Sequence, residues 1–214
     1  MIDTPVQAAI RLVEPQIPQA SEVLARAFHD YPMFTLIFPD ADERARSLPI
    51  LWDAAIRYSL TYGEVYTTAD GNAVACWLAP GNEKMTFWRL LGTGFGLPQA
   101  MLHFSEDARQ RTLDIVDAMD LVHEREVGRA ELVQPPWYLW LLGVDPAFQG
   151  QGLARQLIMP QLARCDADER ACYLETAAEA NVAFYRKLGF EVVSEDVVPD
   201  HDLRFWAMLR RPQV

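Results

Sequence analysis

The sequence has few cysteines, no paired histidines and no long apolar run. Its three cysteines, Cys76, Cys165 and Cys172, are odd in number and form no C-x-x-C pair. This pattern predicts buried free thiols rather than a disulfide framework or a zinc site, and no bound metal is expected. The longest apolar run, WYLWLLGV, is far shorter than the roughly 20 residues that a membrane helix needs, so no membrane partner is predicted.

Positive charge is also scarce, with 19 Lys and Arg against 30 Asp and Glu, which gives a formal net charge of -11. Such a surplus repels nucleic-acid phosphates and anionic lipids, so a small molecule that carries an amine is the easier partner. The start, MIDTPVQAAIRLVEPQIPQA, lacks a charged region followed by a long apolar stretch, and the expectation is a cytoplasmic protein. The length suits a single domain over 1–214.

Hydrophobic periodicity predicts an α/β fold with a mixed sheet. Two β-like runs, GEVYTTA and NAVACWLAP, flank a turn at Asp70 to Asn72 and predict an antiparallel hairpin. A crossover helix between the apolar strands at 137–144 and 171–176 predicts that this pair is parallel. The remaining predicted elements are a strand at 9–13, a helix from Pro18, a helix at 42–62, a broken helical stretch at 83–127, helices at 151–164 and up to Leu188, and strands at 190–194 and 203–209.

The stretch VDPAFQGQGLARQL combines a strand end, a loop with Gly150 and Gly152, and a helix start. Free amides at a helix N-terminus bind anions, and glycines allow close backbone approach. A P-loop is excluded because no G-K-[ST] follows. A dinucleotide-binding fingerprint accounts for the two glycines, and Glu175 ends the next strand, where an acid would recognise a ribose. Two features oppose this interpretation: Arg155 stands in place of the third glycine, and a loop with Pro146 separates the strand from the first glycine. A tight turn without a ligand is the remaining alternative.

Two segments resemble a known superfamily. Val144, Pro146, Gln149, Gly152 and Ala154 match the V-x-P-x-x-Q-x-x-G-x-A pattern of the acyl-CoA loop of GNAT N-acetyltransferases, and ANVAFYRKLGFEVV resembles their N-x-x-x-x-Y-x-K-x-G-F segment. With AFHDYP, VACWLAP and YLETAAEANVAFYRKLGF, the chain is similar to the puromycin N-acetyltransferase group, except at about 83–129. The resemblance implies a GNAT fold, with a mostly antiparallel sheet of about seven strands splayed at the central parallel pair and flanked by helices.

The resemblance also implies acetyl-CoA as the acyl-donor cosubstrate. The loop amides would hold the diphosphate and strand 142–144 the pantetheine arm, with Gln151 standing where a lysine is common. The implied donor-binding residues are Leu142, Gly143, Val144, Gln149, Gly150, Gln151, Gly152, Leu153, Ala154, Asn181 and Tyr185.

Three residues near the second segment have competing interpretations. Tyr185 has the surroundings of a core aromatic, whereas the resemblance implies that it faces the sulfur and gives the leaving thiolate a proton. Glu175, at a strand end, is predicted to be the general base or to hold a cationic acceptor, with a solvated carboxylate as the alternative. Asn181 is an N-cap type, although Thr176 offers a rival capping box.

The acceptor is predicted to contact Asp30, Tyr31, Trp77 and the middle helices. The sequence thus predicts an N-acetyltransferase that acts on a small-molecule amine, such as an aminonucleoside antibiotic or an amino-acid derivative, by direct attack in a ternary complex. An acyl-enzyme on Cys172 is disfavoured because no histidine lies near it in sequence. A non-catalytic acyl-CoA-binding regulatory module and a peptide or protein N-acetyltransferase are the alternatives, and the oligomeric state, including a homodimer, is open.

Overall fold

The computed structural model describes residues 9–213. Its elements follow the predicted order, with β1–β7 and α1–α8 numbered along the chain. The strands are β1 Ile10–Arg11, β2 Gly63–Thr67, β3 Ala73–Leu78, β4 Trp137–Val144, β5 Cys172–Thr176, β6 Glu191–Val198 and β7 Leu203–Arg210. The helices are α1 Ile17–Phe28, α2 Pro32–Ile37, α3 Ala41–Tyr62, α4 Phe87–Gly92, α5 Gly96–Met101, α6 Glu106–Arg129, α7 Leu153–Ala167 and α8 Glu179–Arg186.

Local sequence signals explain several helix starts. The Asp40 side chain accepts a hydrogen bond from the Glu43 amide at 2.6 Å and caps α3, and Ser105 caps α6 in the same way. The sequence pattern does not predict the short α2, because Pro32 indicates only the end of the preceding helix. Proline is equally suited to the first position of a helix, where its missing amide hydrogen has no intrahelical acceptor in any case.

The strands form one seven-stranded sheet in the order β1-β2-β3-β4-β5-β7-β6. The predicted hairpin of β2 and β3 is confirmed as antiparallel, and β4 and β5 form the predicted parallel pair. That parallel pairing joins Trp137 to Cys172 and Tyr138 to Tyr173, whereas β4 continues against β3 as far as Val144. The two central strands therefore separate beyond Tyr138, as the fold prediction requires.

Strand β4 contains an irregularity beside this separation. Cys76 of β3 pairs with Leu141 and the next residue, Trp77, pairs with Leu139, so Trp140 is an extra residue in β4. A β-bulge of this kind changes the alternation of side chains between the two faces. As a result Leu139 and Leu141 belong to different halves of the core.

The sheet is covered by helices on both faces. Side chains of α1, α3, α5 and α6 pack with Val74, Cys76 and Leu78 on one face, while α7 and α8 pack with Ala73, Ala75 and Trp77 on the other. The alternation along β3 follows from the two-residue repeat of a strand. WYLWLLGV is thus central, as its apolar character predicted, although every second residue in it is only half-buried.

All three cysteines are buried and free, as predicted. Within residues 9–213 no helix is long and apolar enough to cross a bilayer, and no group of three or more His, Cys, Asp or Glu side chains could hold a metal ion.

Candidate active site

The separation of β4 from β5 opens two large cavities that meet at the sheet. The first, called the loop cavity, has a volume of about 690 Å³ and lies between the end of α1, the end of β4, the loop at 145–152 and the starts of α7 and α8. The second, called the apolar cavity, has a volume of about 370 Å³ and lies between the sheet and helices α2, α3, α5 and α6. Both volumes fall within or near the size range of small-molecule sites.

The floor of the loop cavity is a helix N-terminus preceded by two glycines in the left-handed region. Gly150 has φ 77° and Gly152 has φ 78°, a conformation that other L-residues adopt only at a cost in free energy. The first hydrogen bond of α7 joins the Gln156 amide to Gly152 O at 3.0 Å. The amides of Leu153, Ala154 and Arg155 come before it and have no acceptor within the helix. The Gln149 side chain donates to Val144 O at 3.3 Å and holds the loop against the strand.

Two arginines line the loop cavity and differ in their partners. Arg26 is held by Asp145, with Nε–Oδ2 at 2.8 Å and Nη2–Oδ2 at 2.7 Å. Arg155 is exposed, and within residues 9–213 it has no ion-pair partner. The Arg155 guanidinium is therefore available to an anion in the cavity. Sequence reasoning used Arg155 only to argue against a dinucleotide site, although a cation in the first turn after an anion loop was a signal that could have found it.

Apolar and aromatic side chains make up most of the apolar cavity wall. Strand β4 contributes Tyr138 to Leu142, and the middle segment predicted to bind the acceptor forms much of the opposite side. The wall residues from that segment are Met85, Leu90, Leu97, Pro98, Met101, Thr112, Leu113, Ile115, Val116 and Met119.

Tyr185, Asn181 and Tyr31 line both cavities and mark their junction. Tyr185 is 7% exposed and contacts Phe184 and Phe190 edge to face. Burial, together with the neighbouring Tyr31, raises the pKa of Tyr185 well above its usual value, so this phenol is protonated at neutral pH. A buried protonated phenol at the junction can donate a proton.

Thr176 organises the other side of the junction. Its hydroxyl lies 2.9 Å from the Tyr31 hydroxyl and accepts a hydrogen bond from Asn181 Nδ2 at 3.1 Å. Tyr31 in turn accepts a hydrogen bond from the Ala177 amide at 2.6 Å. Helix α8 begins at Glu179 after Ala178, so neither Thr176 nor Asn181 is its N-cap, and both side chains are used within the site instead.

Glu175 is buried in the wall of the apolar cavity, next to Thr176 of the junction, with a side chain that is 1% exposed. The Tyr138 hydroxyl donates to Glu175 Oε2 at 2.5 Å, and His123 Nδ1 of α6 lies 3.4 Å from Oε1. The alternative of a solvated strand-end carboxylate is therefore wrong. Sequence reasoning did not find His123 or Tyr138, because the middle segment carries no recognisable motif and Tyr138 lies within an apolar run.

A third, water-sized cavity of about 30 Å³, called the polar cavity, lies behind this carboxylate. Glu175, Tyr138 and Met119 line both it and the apolar cavity, so they form the wall between the two. The other residues around the polar cavity are Glu83, Lys84, Asp120, His123 and Glu124.

Three predicted site residues lie outside their expected places. Trp77 is fully buried against α7 and lines neither large cavity, so the structure does not support contact with an acceptor. Asp30 lies at the loop cavity rather than the apolar cavity, with its carboxylate 2.8 Å from His29 Nδ1. Gln151 is exposed and absent from the loop cavity wall, whereas the other ten predicted donor-binding residues line it.

Comparison with known proteins fits this architecture. Residues 115–192 match the family model described as an acetyltransferase (GNAT) domain. An uncharacterized N-acetyltransferase of Schizosaccharomyces pombe is 24% identical over 186 residues, which cover 86% of this chain and 74% of the relative.

Solved structures agree on the fold. The structure of histone acetyltransferase HPA2 and related acetyltransferase from Corynebacterium glutamicum aligns with a TM-score of 0.67 at 20% identity, covering 97% of each chain. Arylalkylamine N-acetyltransferase 2 from Aedes aegypti aligns with a TM-score of 0.59 at 16% identity, covering 96% of this chain and 98% of the other. The protein therefore has a GNAT fold, residues 115–192 match the GNAT acetyltransferase domain, and these similarities support the prediction of an acetyltransferase.

Proposed function

We propose that this enzyme transfers an acetyl group from acetyl-CoA to the amine of a small molecule with an apolar body, by direct attack in a ternary complex. The observation that carries the proposal is the junction of the loop cavity and the apolar cavity at Tyr185. Two separate cavities allow both substrates to be bound at once, with their reactive ends meeting beside one proton donor. Because the cavities use elements from α1 to α8, we propose that 1–214 acts as one unit.

The loop cavity suits the donor. Free amides at the start of α7 and the unpaired Arg155 would hold the diphosphate, since a helix N-terminus and a guanidinium both favour negative charge. The pantetheine arm would lie along the part of β4 that has separated from β5, and its amides would pair with the free strand edge at Leu142 to Val144. An amide at Leu142 or Gly143 would then donate to the thioester oxygen, an interaction that is worth about 3 kcal/mol in other acyl transfers.

The apolar cavity suits an amine on an apolar body. Apolar surface leaves water on binding, at about 25 cal/mol per Å². Glu175 is the carboxylate in the wall of this cavity, and its Oε1 faces a histidine at a distance longer than a direct hydrogen bond. We therefore place the ammonium of the acceptor at Glu175 and its apolar body among the middle helices.

The reaction balances with one net proton released. The acceptor ammonium first loses a proton to Glu175, directly or through a water, and the free amine attacks the thioester carbon to form the N–C bond. As the C–S bond breaks, Tyr185 gives its proton to the thiolate, and the second amine proton returns to the Tyr185 oxygen. The products are the amide, CoA thiol and one proton.

The test is a thiol-release assay with acetyl-CoA and a panel of amines. The panel contains phenethylamine and a long-chain alkylamine as apolar acceptors, puromycin because of the resemblance to that group, and glycine and a basic peptide as polar ones. Turnover concentrated on the apolar amines supports the proposal, and the likeness to an arylalkylamine N-acetyltransferase adds to that expectation. Acetyl-CoA binding without turnover would favour a non-catalytic module, and turnover of the peptide alone would favour a peptide acetylase.

A matched pair of variants on α6 tests the apolar cavity directly. Val116 lines this cavity, whereas Leu121, on the same helix, is 70% exposed and does not line it. Val116→Lys places a charged side chain in the wall that would contact the apolar body of the acceptor, and it should raise the KM of apolar amines by roughly tenfold, which corresponds to about 1.4 kcal/mol. Leu121→Lys should leave that KM unchanged, and the KM of acetyl-CoA should be the same in both variants.

A further inference from the structure

We infer that His123 and the polar cavity form an exit route for the proton that each turnover releases, with His123 acting through Glu175. The inference rests on the proposed function and assigns a route that neither substrate cavity supplies. Three observations carry it: the position of Glu175 between two cavities, the fixed orientation of the His123 ring, and the connection of the polar cavity to the surface.

Glu175 separates the apolar cavity from the polar cavity. Its Oε2 is engaged by the Tyr138 hydroxyl at 2.5 Å, which leaves Oε1 to face His123 Nδ1 at 3.4 Å. A direct hydrogen bond from nitrogen is normally no longer than about 3.2 Å, so a small movement of either side chain makes or breaks this contact. Glu175 can thus take a proton on one side of the wall and offer it to His123 on the other.

The His123 ring is held between two tyrosine rings. Its centroid lies 4.5 Å from that of Tyr173 and 5.0 Å from that of Tyr138, each in an edge-to-face arrangement. The parallel register of β4 and β5 places these two tyrosines side by side. The imidazole is therefore positioned by the sheet itself, at the last point where the two central strands are still paired.

The polar cavity connects this imidazole to solvent. It has room for about one water and is surrounded by carboxylates that can accept a proton or orient that water. Lys84 Nζ and Glu124 Oε1 form an ion pair of 2.5 Å at its edge, and both side chains are more than half exposed. A proton on His123 therefore has a short polar path to the surface.

A separate route is needed because both large cavities are occupied during the reaction. The donor would fill the loop cavity, and the apolar body of the acceptor would fill the apolar cavity and exclude water from it. The polar cavity shares only Glu175, Tyr138 and Met119 with the apolar cavity and none of the loop cavity residues, so it can stay accessible to water while both substrates are bound.

The charges around His123 favour its protonated form. Burial by itself would lower the pKa of His123, but Glu175, with Glu83 and Asp120 further away, raises it above the usual value of 6.5. The ionisable groups that face it are Glu175 and Tyr173 on β5, Tyr138 on β4, Asp120 and Glu124 on its own helix, and Glu83 and Lys84 before α4, with the Arg125–Glu126 pair beyond Tyr173. Neutral His123 is the form that accepts a proton, so turnover should rise with pH on the alkaline side of 6.5.

The test compares His123→Gln with His201→Gln, measured with phenethylamine and acetyl-CoA over a range of pH. His201 Nε2 contacts Asp114 of α6 at 2.8 Å, so the control also removes a histidine–carboxylate contact to that helix, at a site away from the cavities. His123→Gln should lower kcat by roughly tenfold to 100-fold and remove the rise in kcat above pH 6.5, while the KM of acetyl-CoA stays the same. His201→Gln should keep the wild-type rate and profile.

A second variant and a second readout guard against a folding defect. Asp120→Asn removes a negative charge near His123 and should move the rise in kcat to lower pH without abolishing it.

The second readout is an NMR titration of His123 in the free enzyme. Its midpoint should lie above pH 6.5 in wild type and should be lower in Glu175→Gln. A midpoint that does not respond to Glu175→Gln, or a His123→Gln variant with the wild-type rate and pH profile, overturns the exit route while wild-type turnover preserves the proposed function. Absence of wild-type turnover with every amine would overturn both.

Discussion

The Tyr138 hydroxyl donates a 2.5 Å hydrogen bond to Oε2 of the buried Glu175, and this bond orients the carboxylate in the wall of the apolar cavity. Tyr138 lies where β4 last pairs with β5, so the same position ends the sheet contact and orients the proposed base. Burial and the charge of Glu175 raise the pKa of Tyr138 well above its usual value, which keeps this donor protonated.

Glu175→Gln is expected to lower kcat/KM for the amine by roughly 10²-fold to 10⁴-fold, because the amide cannot accept the ammonium proton. Steady-state kinetics across pH will check this, and the rising limb of the profile should be lost. Glu195→Gln, which alters a surface ion pair with Arg204, serves as the control. An intact rate and rising limb in Glu175→Gln would exclude Glu175 as the base.

Tyr185→Phe is expected to lower kcat severalfold to about 100-fold with little change in acetyl-CoA affinity, since phenylalanine can neither protonate the departing thiolate nor take the second amine proton. Rates at saturating substrates and calorimetric binding of acetyl-CoA will separate the two effects. Tyr62→Phe, which removes a hydroxyl bonded to Arg89 O away from both cavities, should be neutral for kcat. An unchanged kcat in Tyr185→Phe would remove Tyr185 from the mechanism.

Arg155→Gln is expected to raise the KM of acetyl-CoA by about fivefold to tenfold, with kcat preserved, because one cation leaves the proposed diphosphate site. The wild-type KM should also rise with salt more steeply than that of the variant. Arg204→Gln, at an exposed site on β7, is the matched arginine control. Equal KM values in wild type and Arg155→Gln would show that backbone amides alone hold the donor.

Gly152→Ala is expected to weaken acetyl-CoA binding by roughly fivefold to tenfold, because alanine at φ 78° costs about 1 to 2 kcal/mol and shifts the start of α7. Open space surrounds the position where the new Cβ would lie, so strain rather than a clash is the cause. Gly128→Ala, in a helical position that is also open, should leave binding unchanged. Normal binding by Gly152→Ala would show that the loop tolerates a different backbone conformation.

The contribution of the His123–Glu175 pair to the stability of the fold should decrease as pH rises. The pKa of His123 is raised on folding, so its stabilisation is fully present below the unfolded value near 6.5 and is lost as pH rises through the folded value. The Tm of wild type should exceed that of His123→Gln by a few degrees at about pH 6, where the difference is largest, and this difference should shrink towards about pH 9. A Tm difference that grows with pH would contradict the raised pKa of His123.

The residues that the sequence assigns to the donor come together at the loop cavity, apart from Gln151, because the signals that select them are local. The loop from Gln149 to Ala154 lies between a strand and a helix that are adjacent in sequence, and glycine chemistry and helix-end amides act within a few residues. The hairpin and the parallel pair follow from periodicity, a turn signal and a crossover helix, and the resemblance implied a place for Tyr185 beside the donor.

The acceptor side depended on contacts between distant parts of the chain. Trp77 was misplaced because the aromatic residue alone does not reveal which face of β3 it occupies, and the alternation places it against α7. The bulge at Trp140 likewise has no sequence signal. His123 comes 52 residues before Glu175 in sequence, and only the packing of α6 on the sheet brings its imidazole to the carboxylate.

The sequence by itself therefore determined the order of most elements and the glycine loop before α7, since each depends on spacing within one or two neighbouring elements, and the class of chemistry followed from the resemblance of two short motifs. The tertiary structure alone decided the burial of Glu175, its Tyr138 and His123 partners, and the apolar cavity. These features arise where α3, α5 and α6 pack on the separated strands, and side-chain packing between remote segments has no repeating pattern in the sequence.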